Sequence, residues 1–148
     1  MTKEIETSQN NLGMFLIKLM PVEWEKIWLY AECEDNCCSF YLCFKETQTV
    51  LITTTDFFWE RYNVYPFTER ETFRMLSNFI CEIYKTYKKT YGQEKIWTTM
   101  TYIIESSGEF NIDFTYETIQ ENMVVQRRKW EIKYFGREIP YTTEKYPY

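Results

Sequence analysis

Leu12, Phe15, Leu16 and Leu19 recur at i, i+3, i+4 and i+7, the spacing of one helix face, so an amphipathic helix is predicted before Pro21. From Trp24 the period changes to two. Ile27, Leu29, Ala31 and Cys33 fall on one face of a strand, and Cys38, Phe40, Leu42 and Phe44 on one face of the next. A two-residue turn at Asp35-Asn36 pairs Cys33 with Cys38, Ala31 with Phe40, Leu29 with Leu42 and Ile27 with Phe44. All four pairs are apolar, which selects that register, because a one-residue slip would turn the set to solvent.

VLITT from Val50 reads as a short third strand, and DFFWERYNVYPF after it as irregular. Thr68-Glu69-Arg70-Glu71 is a capping box that opens the longest helix. Phe73, Leu76, Ile80, Ile83, Tyr84, Tyr87 and Tyr91 form its predicted buried stripe, and Gly92 its stop. In a second hairpin, Ile96, Thr98, Met100, Tyr102 and Ile104 alternate against Phe110, Ile112, Phe114 and Tyr116. A three-residue loop, Ser106-Ser107-Gly108 with Gly108 left-handed, lets the apolar sets face each other; a two-residue loop would oppose Ile104 to Asn111. Ile119, Met123, Gln126, Trp130 and Lys133/Tyr134 mark a last helix ending at Gly136. The order α-β-β-β-α-β-β-α predicts an α+β fold: an antiparallel sheet built from hairpins, with helices packed on it.

At 148 residues the chain is expected to be one domain, residues 1–148, large enough to bury a core. Aromatic residues make up 20% of it, while Gly 4 and Pro 4 leave little for linkers, which excludes a disordered or low-complexity chain. It has no His, which removes the usual general base, the commonest metal ligand and any Ser-His or Cys-His pairing. The polar start MTKEIETSQNN does not resemble an export signal, and LGMFLIKLM is too short to span a bilayer, so a cytoplasmic protein is expected. In that reducing compartment, five cysteines (33, 37, 38, 43, 81) predict no disulfide framework.

Charge singles out QRRKWEIKYFGREIP, Gln126 to Pro140, where Arg127, Arg128, Lys129, Lys133 and Arg137 outnumber Glu131 and Glu138. Basic residues interleaved with aromatics could hold nucleic acid. On a helix, however, Trp130 and Tyr134 share the stripe of Met123 and are core, while the cations sit late in the helix, where the macrodipole favours them. Residues 1–126 hold 11 Lys+Arg against 19 Asp+Glu, a net of −8 that repels phosphates. No direct nucleic-acid binding is expected.

CEDNCCSFYLC, Cys33 to Cys43, raises zinc. Alternation puts Cys33 and Cys38 on one face and Cys37 and Cys43 on the other, so four thiolates cannot converge; no metal or other cofactor is expected. Carboxylates are abundant, but nothing selects an acid/base pair. The hairpins' other faces carry Trp28, Tyr30, Glu32 and Tyr41, then Trp97, Thr99, Thr101, Ile103, Glu105, Glu109, Asp113 and Glu117. One reading is a second helix-covered face for the aromatics and a solvated one for the acids. The other is a recognition surface, with Trp and Tyr as anchors and an acidic rim that steers a basic partner.

PVEWEKIWLYAE (21–32), ERYNV (60–64), GQEKIWTT (92–99), GEFNIDFTYE (108–117) and RRKWEIKYFGREIP (127–140), in this order and spacing, resemble the YezG-like antitoxin, or immunity protein, family of Gram-positive bacteria. The resemblance covers roughly residues 14–140 and departs from the family's glycine- and acid-rich turn at CEDNCC. It implies a non-catalytic cytoplasmic antidote that binds the nuclease domain of a polymorphic toxin exported by type VII secretion. It supplies no catalytic motif. From the surface argument, the expected toxin-binding residues are Trp28, Tyr30, Glu32, Tyr41, Trp97, Glu105, Glu109, Asp113 and Glu117. A small intracellular interaction or structural module is the competing function, and homodimerisation is left open.

Overall fold

The computed structural model describes residues 2–35, 37–48, 52–54 and 68–139. Helix α1 spans Lys3–Leu19, with Thr2 as its cap accepting from the Ile5 N–H. Glu4 and Glu6 sit in its first turn and Lys18 in its last, each at the favourable end of the helix dipole. Strands β1 (Trp24–Glu34) and β2 (Cys37–Glu46) follow, then β3 (Ile52–Thr54), helix α2 (Glu69–Tyr91), a 3-10 turn at Gln93–Lys95, β4 (Thr99–Glu105), β5 (Phe110–Thr115) and helix α3 (Met123–Phe135). Val50, Leu51 and the DFFWERYNVYPF stretch lie outside the described residues. The strands form one antiparallel sheet in the order β3-β2-β1-β4-β5, as the α+β reading expects.

Both hairpin registers match the pattern of apolar positions. Cys33 faces Cys38, Ala31 faces Phe40, Leu29 faces Leu42 and Ile27 faces Phe44. In the second hairpin Ile104 faces Phe110, Tyr102 faces Ile112 and Met100 faces Phe114. Gly108 has φ 92°, and its N–H closes the loop on the Glu105 carbonyl.

The odd positions of β1 join α1 and α2 in the larger core, which includes Leu12, Leu16, Ile27, Leu29, Leu76, Ile80, Ile83, Trp97 and Tyr102. Each such aliphatic side chain stabilises the fold by about 1.5–3 kcal/mol. The even positions Trp28 and Tyr30, with Tyr41 and Cys43 of β2, pack beneath Trp130 of α3 in a smaller core. Among the described residues, two helices thus cover one face of the sheet, and one helix covers part of the other.

Three expectations are corrected. Phe73 and Tyr91 of the α2 stripe are 51% and 46% exposed. This helix runs across the strands, from Phe73 against Phe40 of β2 to Tyr87 against Phe114 of β5. Phe73 and Tyr91 lie towards the ends of the helix, each packed on one aromatic neighbour, Phe73 on Phe40 and Tyr91 on Tyr87, with the rest of its ring exposed. Helix α3 starts at Met123 rather than Ile119, because Asn122 caps it by accepting from the Val125 N–H. Finally, Cys33 and Cys38 are joined as a disulfide, where no disulfide framework was expected. The register itself places them opposite one another, with Cα atoms 4.3 Å apart.

Candidate functional site

The sheet face under α3 carries the predicted recognition residues, and the helix decides which of them a partner can reach. Trp28, Tyr30 and Tyr41 are buried: Trp28 meets Phe135 edge-on, Tyr30 lies against Trp130, and Tyr41 meets Trp130 edge-on. They form the seat of α3 and do not present a surface. Trp97 is on the opposite face, wholly buried between Tyr84 and Phe114. It precedes β4, which begins at Thr99, so strand alternation does not extend back to it and the larger core takes the indole. The helix-covered reading holds for Trp28, Tyr30 and Tyr41, and the placement of Trp97 on the outer face is corrected.

Polar contacts fix α3 on its seat. The Trp130 indole N–H donates to the Thr101 hydroxyl at 3.0 Å, and the Tyr134 hydroxyl donates to the Asp113 carboxylate at 3.0 Å. Glu131, wholly buried, accepts from the Tyr41 hydroxyl at 2.6 Å, from Arg128 at 3.3 Å and from the Ile139 N–H at 3.2 Å. Arg128 also donates to the Ile139 carbonyl, which clips the chain beyond the helix onto it. The guanidinium of Arg127 stacks 3.7 Å from the Tyr41 ring centre. Lys129 pairs with Glu121, and Lys133 sits over the Tyr134 ring. The basic run of α3 is therefore engaged within the molecule, but its expected placement at the negative end of the helix dipole is corrected: only Lys133 lies in the last turn, and Arg127, Arg128 and Lys129 sit mid-helix because the helix starts at Met123.

Burial raises the Tyr41 hydroxyl pKa far above the ordinary tyrosine range, helped by nearby Cys43 and by its bond to Glu131. Burial likewise raises Tyr30, which donates to Glu32 at 2.9 Å. Glu32 itself is raised by burial, partly offset by that hydrogen bond. Sequence reasoning missed Glu131, because nothing in RRKWEIKYF distinguishes a buried carboxylate from a surface one. The only available hint was its position one residue after Trp130, on the flank of the helix turned towards Tyr41.

Beyond the helix, no described element covers the face over β4 and β5. A groove of about 550 Å³ runs between Thr99, Thr101, Asp113 and Glu117 on the sheet and Trp130 and Tyr134 on α3. The predicted acids gather along this side. Asp113 opposes Thr101, and Glu109 bonds back to Glu105 across the loop. Glu105 in turn meets Lys26 at 3.2 Å, an exposed pair of little energetic weight. Glu117 follows β5 at the far end, and Glu32 is half-buried beside Tyr30. Glu109 to Glu117 spans about 26 Å of extended chain, a row rather than a converging site. Among the described residues, no group of three or more Cys, Asp or Glu side chains is arranged to hold a metal ion, and no helix is long and apolar enough to cross a membrane.

A sequence model of the family described as "Immunity protein YezG-like" matches residues 5–146. The chain is also similar to two curated proteins, both named Immunity protein YezG. The one from Bacillus subtilis (strain 168) is 26% identical over 130 residues, 84% of this chain and 83% of the relative. The one from Bacillus spizizenii is 25% identical over 122 residues, 80% of this chain and 74% of the relative. The match runs from α1 through the sheet to beyond α3, so it includes both cores and the acid row together: the chain belongs to the YezG-like immunity protein family.

Proposed function

We propose that this protein is a cytoplasmic antitoxin that binds and neutralises the nuclease domain of a secreted polymorphic toxin. The observation that carries the reading is the family match across residues 5–146. Support comes from the site, which offers a solvent-facing row of carboxylates beside an aromatic-walled groove. Such a surface complements a basic protein, and a domain that itself grips nucleic acid is basic.

The mode of action is binding rather than catalysis. Glu105, Glu109, Asp113 and Glu117 supply steering and partner choice, with Glu32 at the edge of the same face. Trp28, Tyr30 and Tyr41 contribute indirectly, by holding α3 and hence the groove in place; Trp97 supports the opposite core. No cofactor takes part, and the toxin's route of export is type VII secretion.

The test takes as partner any toxin nuclease domain encoded in the neighbourhood of this protein's gene. The purified domain is mixed with the protein at equal concentration, and cleavage of DNA and of RNA is followed. A stoichiometric complex with cleavage suppressed is expected. A nuclease that cuts at full rate in the presence of excess protein would overturn the proposal and leave a structural or interaction module as the function.

A further inference from the structure

Strand β5 ends the sheet: it pairs with β4 on one side and with no strand on the other among the described residues. The Glu105 N–H bonds to the Glu109 carbonyl, and the Thr98 N–H to the Thr115 carbonyl, so the odd residues of β5 turn their peptide groups towards β4. In an antiparallel ladder the alternate residues then turn theirs away, which leaves the N–H and C=O of Phe110, Ile112 and Phe114 facing outwards. FNIDFT contains no Pro or Lys and one charge, so little in the strand blunts this edge.

The two sides of the edge differ in chemistry. Towards α2, Phe110 stacks on Tyr102, Phe114 packs on Tyr87, and Tyr87, Tyr91 and Tyr116, with Glu94 and Lys95 at its rim, bound an open groove of about 570 Å³. Phe110 and Tyr116 are 41% and 59% exposed there. Towards α3 lie Glu109, Asn111, Asp113 and Thr115, all exposed.

We infer that β5 is a docking edge for one extended segment of a basic protein partner, which adds to the sheet as a sixth strand. Its backbone would bond to Phe110, Ile112 and Phe114. Its side chains would alternate, apolar ones onto the tyrosine ledge and Lys or Arg beside Glu109 and Asp113. Charge decides against a second copy of this chain. An antiparallel β5–β5 pairing would bring both acid rows onto the same face of the joined sheet, and like charges across strands are destabilising. The inference deepens the antitoxin reading and rests on it for the identity of the partner, the toxin's nuclease domain.

Amide hydrogen exchange resolved by NMR tests it, with two probes. The first is a synthetic peptide alternating Val and Lys, with a Val/Glu peptide as control; the second is the toxin nuclease domain of the cleavage test. The Val/Lys peptide and the nuclease domain are each expected to slow exchange at Phe110, Ile112 and Phe114 by at least tenfold, and the Val/Glu peptide to leave it unchanged. The variant Ile112→Pro removes an outward N–H without breaking a β4 bond, which an edge strand tolerates. With circular dichroism and melting showing it folded, it should bind both probes at least tenfold more weakly. Asp113→Lys, which leaves the backbone intact, should do the same for the Val/Lys peptide.

A nuclease complex that inhibits cleavage yet leaves these three amides unprotected would overturn the docking edge and spare the antitoxin function. A Val/Lys peptide that protects them, with no binding of the nuclease, would support the edge and sink the antitoxin reading. Protection that grows with the protein's own concentration, alongside dimers in sedimentation, would overturn the basic-partner assignment in favour of self-pairing.

Discussion

The Tyr41 hydroxyl and the Glu131 carboxylate meet at 2.6 Å in the smaller core, with the tyrosine 1% exposed and the glutamate not exposed at all. This bond ties α3, the only helix on the second face among the described residues, to the centre of the sheet. The carboxylate also holds Arg128 and the Ile139 N–H, so it is a hub with three donors. Glu131→Ala leaves the Tyr41 hydroxyl and the Ile139 N–H without their acceptor, while Arg128 keeps the Ile139 carbonyl, so at roughly 1–3 kcal/mol for each orphaned donor it should cost roughly 2–6 kcal/mol. Tyr41→Phe removes one donor and should cost roughly 1–3 kcal/mol. Urea melts of the two single variants and the double variant check this. A double variant whose loss equals the sum of the two singles would show that the pair is not coupled.

Gly13 on α1 lies under the Tyr102 hydroxyl, where a Cβ would come within 2.5 Å of the oxygen. That hydroxyl is held by the Gln9 carbonyl at 2.7 Å and cannot swing aside freely. Alanine in a helix interior would gain up to about 1 kcal/mol over glycine, but overpacking here should cost roughly 1–3 kcal/mol, so Gly13→Ala is expected to destabilise on balance. Adding Tyr102→Phe removes the clashing atom and leaves the ring carbon in ordinary contact at 3.5 Å. The double variant should therefore melt above Gly13→Ala alone.

Stability should fall at alkaline pH. Burial raises the folded-state pKa of Tyr30, Tyr41 and Tyr102 above the ordinary tyrosine value. A raised pKa gives stability that is complete below the unfolded value, near 10, and is lost as pH climbs through it towards the folded value. Glu32 has the same sign, since burial raises it too. Its contribution is present in acid and lost as pH rises past the ordinary glutamate range. Glu32→Gln should thus leave the protein at least as stable at neutral pH and flatten the acid side of the profile. Thermal melts between pH 4 and pH 11 would show both effects; a Glu32→Gln protein markedly less stable at pH 7 would contradict the assignment.

Reversing two carboxylates tests the acid row at little cost to the fold. Glu109 is in the second hairpin's loop, and Asp113 is exposed. Glu109→Lys with Asp113→Lys should slow association with the proposed nuclease partner by on the order of tenfold and reduce its salt dependence, because rim charges act mainly on association rate. Asp113→Lys also removes the acceptor of the Tyr134 hydroxyl, an exposed bond, so the melting temperature should fall only by what about 0.5–1.5 kcal/mol accounts for. Biosensor kinetics at two salt concentrations would read the effect, and unchanged association would remove this face from consideration.

The Cys81 sulfur on α2 lies 3.3 Å from that of Cys38. In a Cys33→Ser variant treated with oxidised glutathione, Cys38 should bridge to Cys81, tying α2 to β2. Burial raises the Cys81 thiol, so thiolate is scarce at neutral pH and the bridge should form faster as pH rises. Peptide mapping by mass spectrometry identifies the linkage; recovery of Cys37 with Cys81 instead would contradict the geometry.

Periodicity along the chain determined the strands, both hairpin registers, the capping box at Thr68 and the stops at Gly92 and Gly136, because each depends on neighbours within a few residues. Register followed from the requirement that one face be apolar, and here two faces of β1 are. Tertiary structure alone decided which helix covers which face. Trp28, Tyr30 and Tyr41 have the composition of an interface, and only the docking of α3 turns them into core. Trp97 changed faces because the chain enters β4 two residues after it. Glu131 became a buried hub through Tyr41, 90 residues away in sequence, a distance over which no local pattern carries information. The acid row on β5 is likewise what remains uncovered among the described residues when one short helix, 13 residues long, covers only part of a five-stranded face.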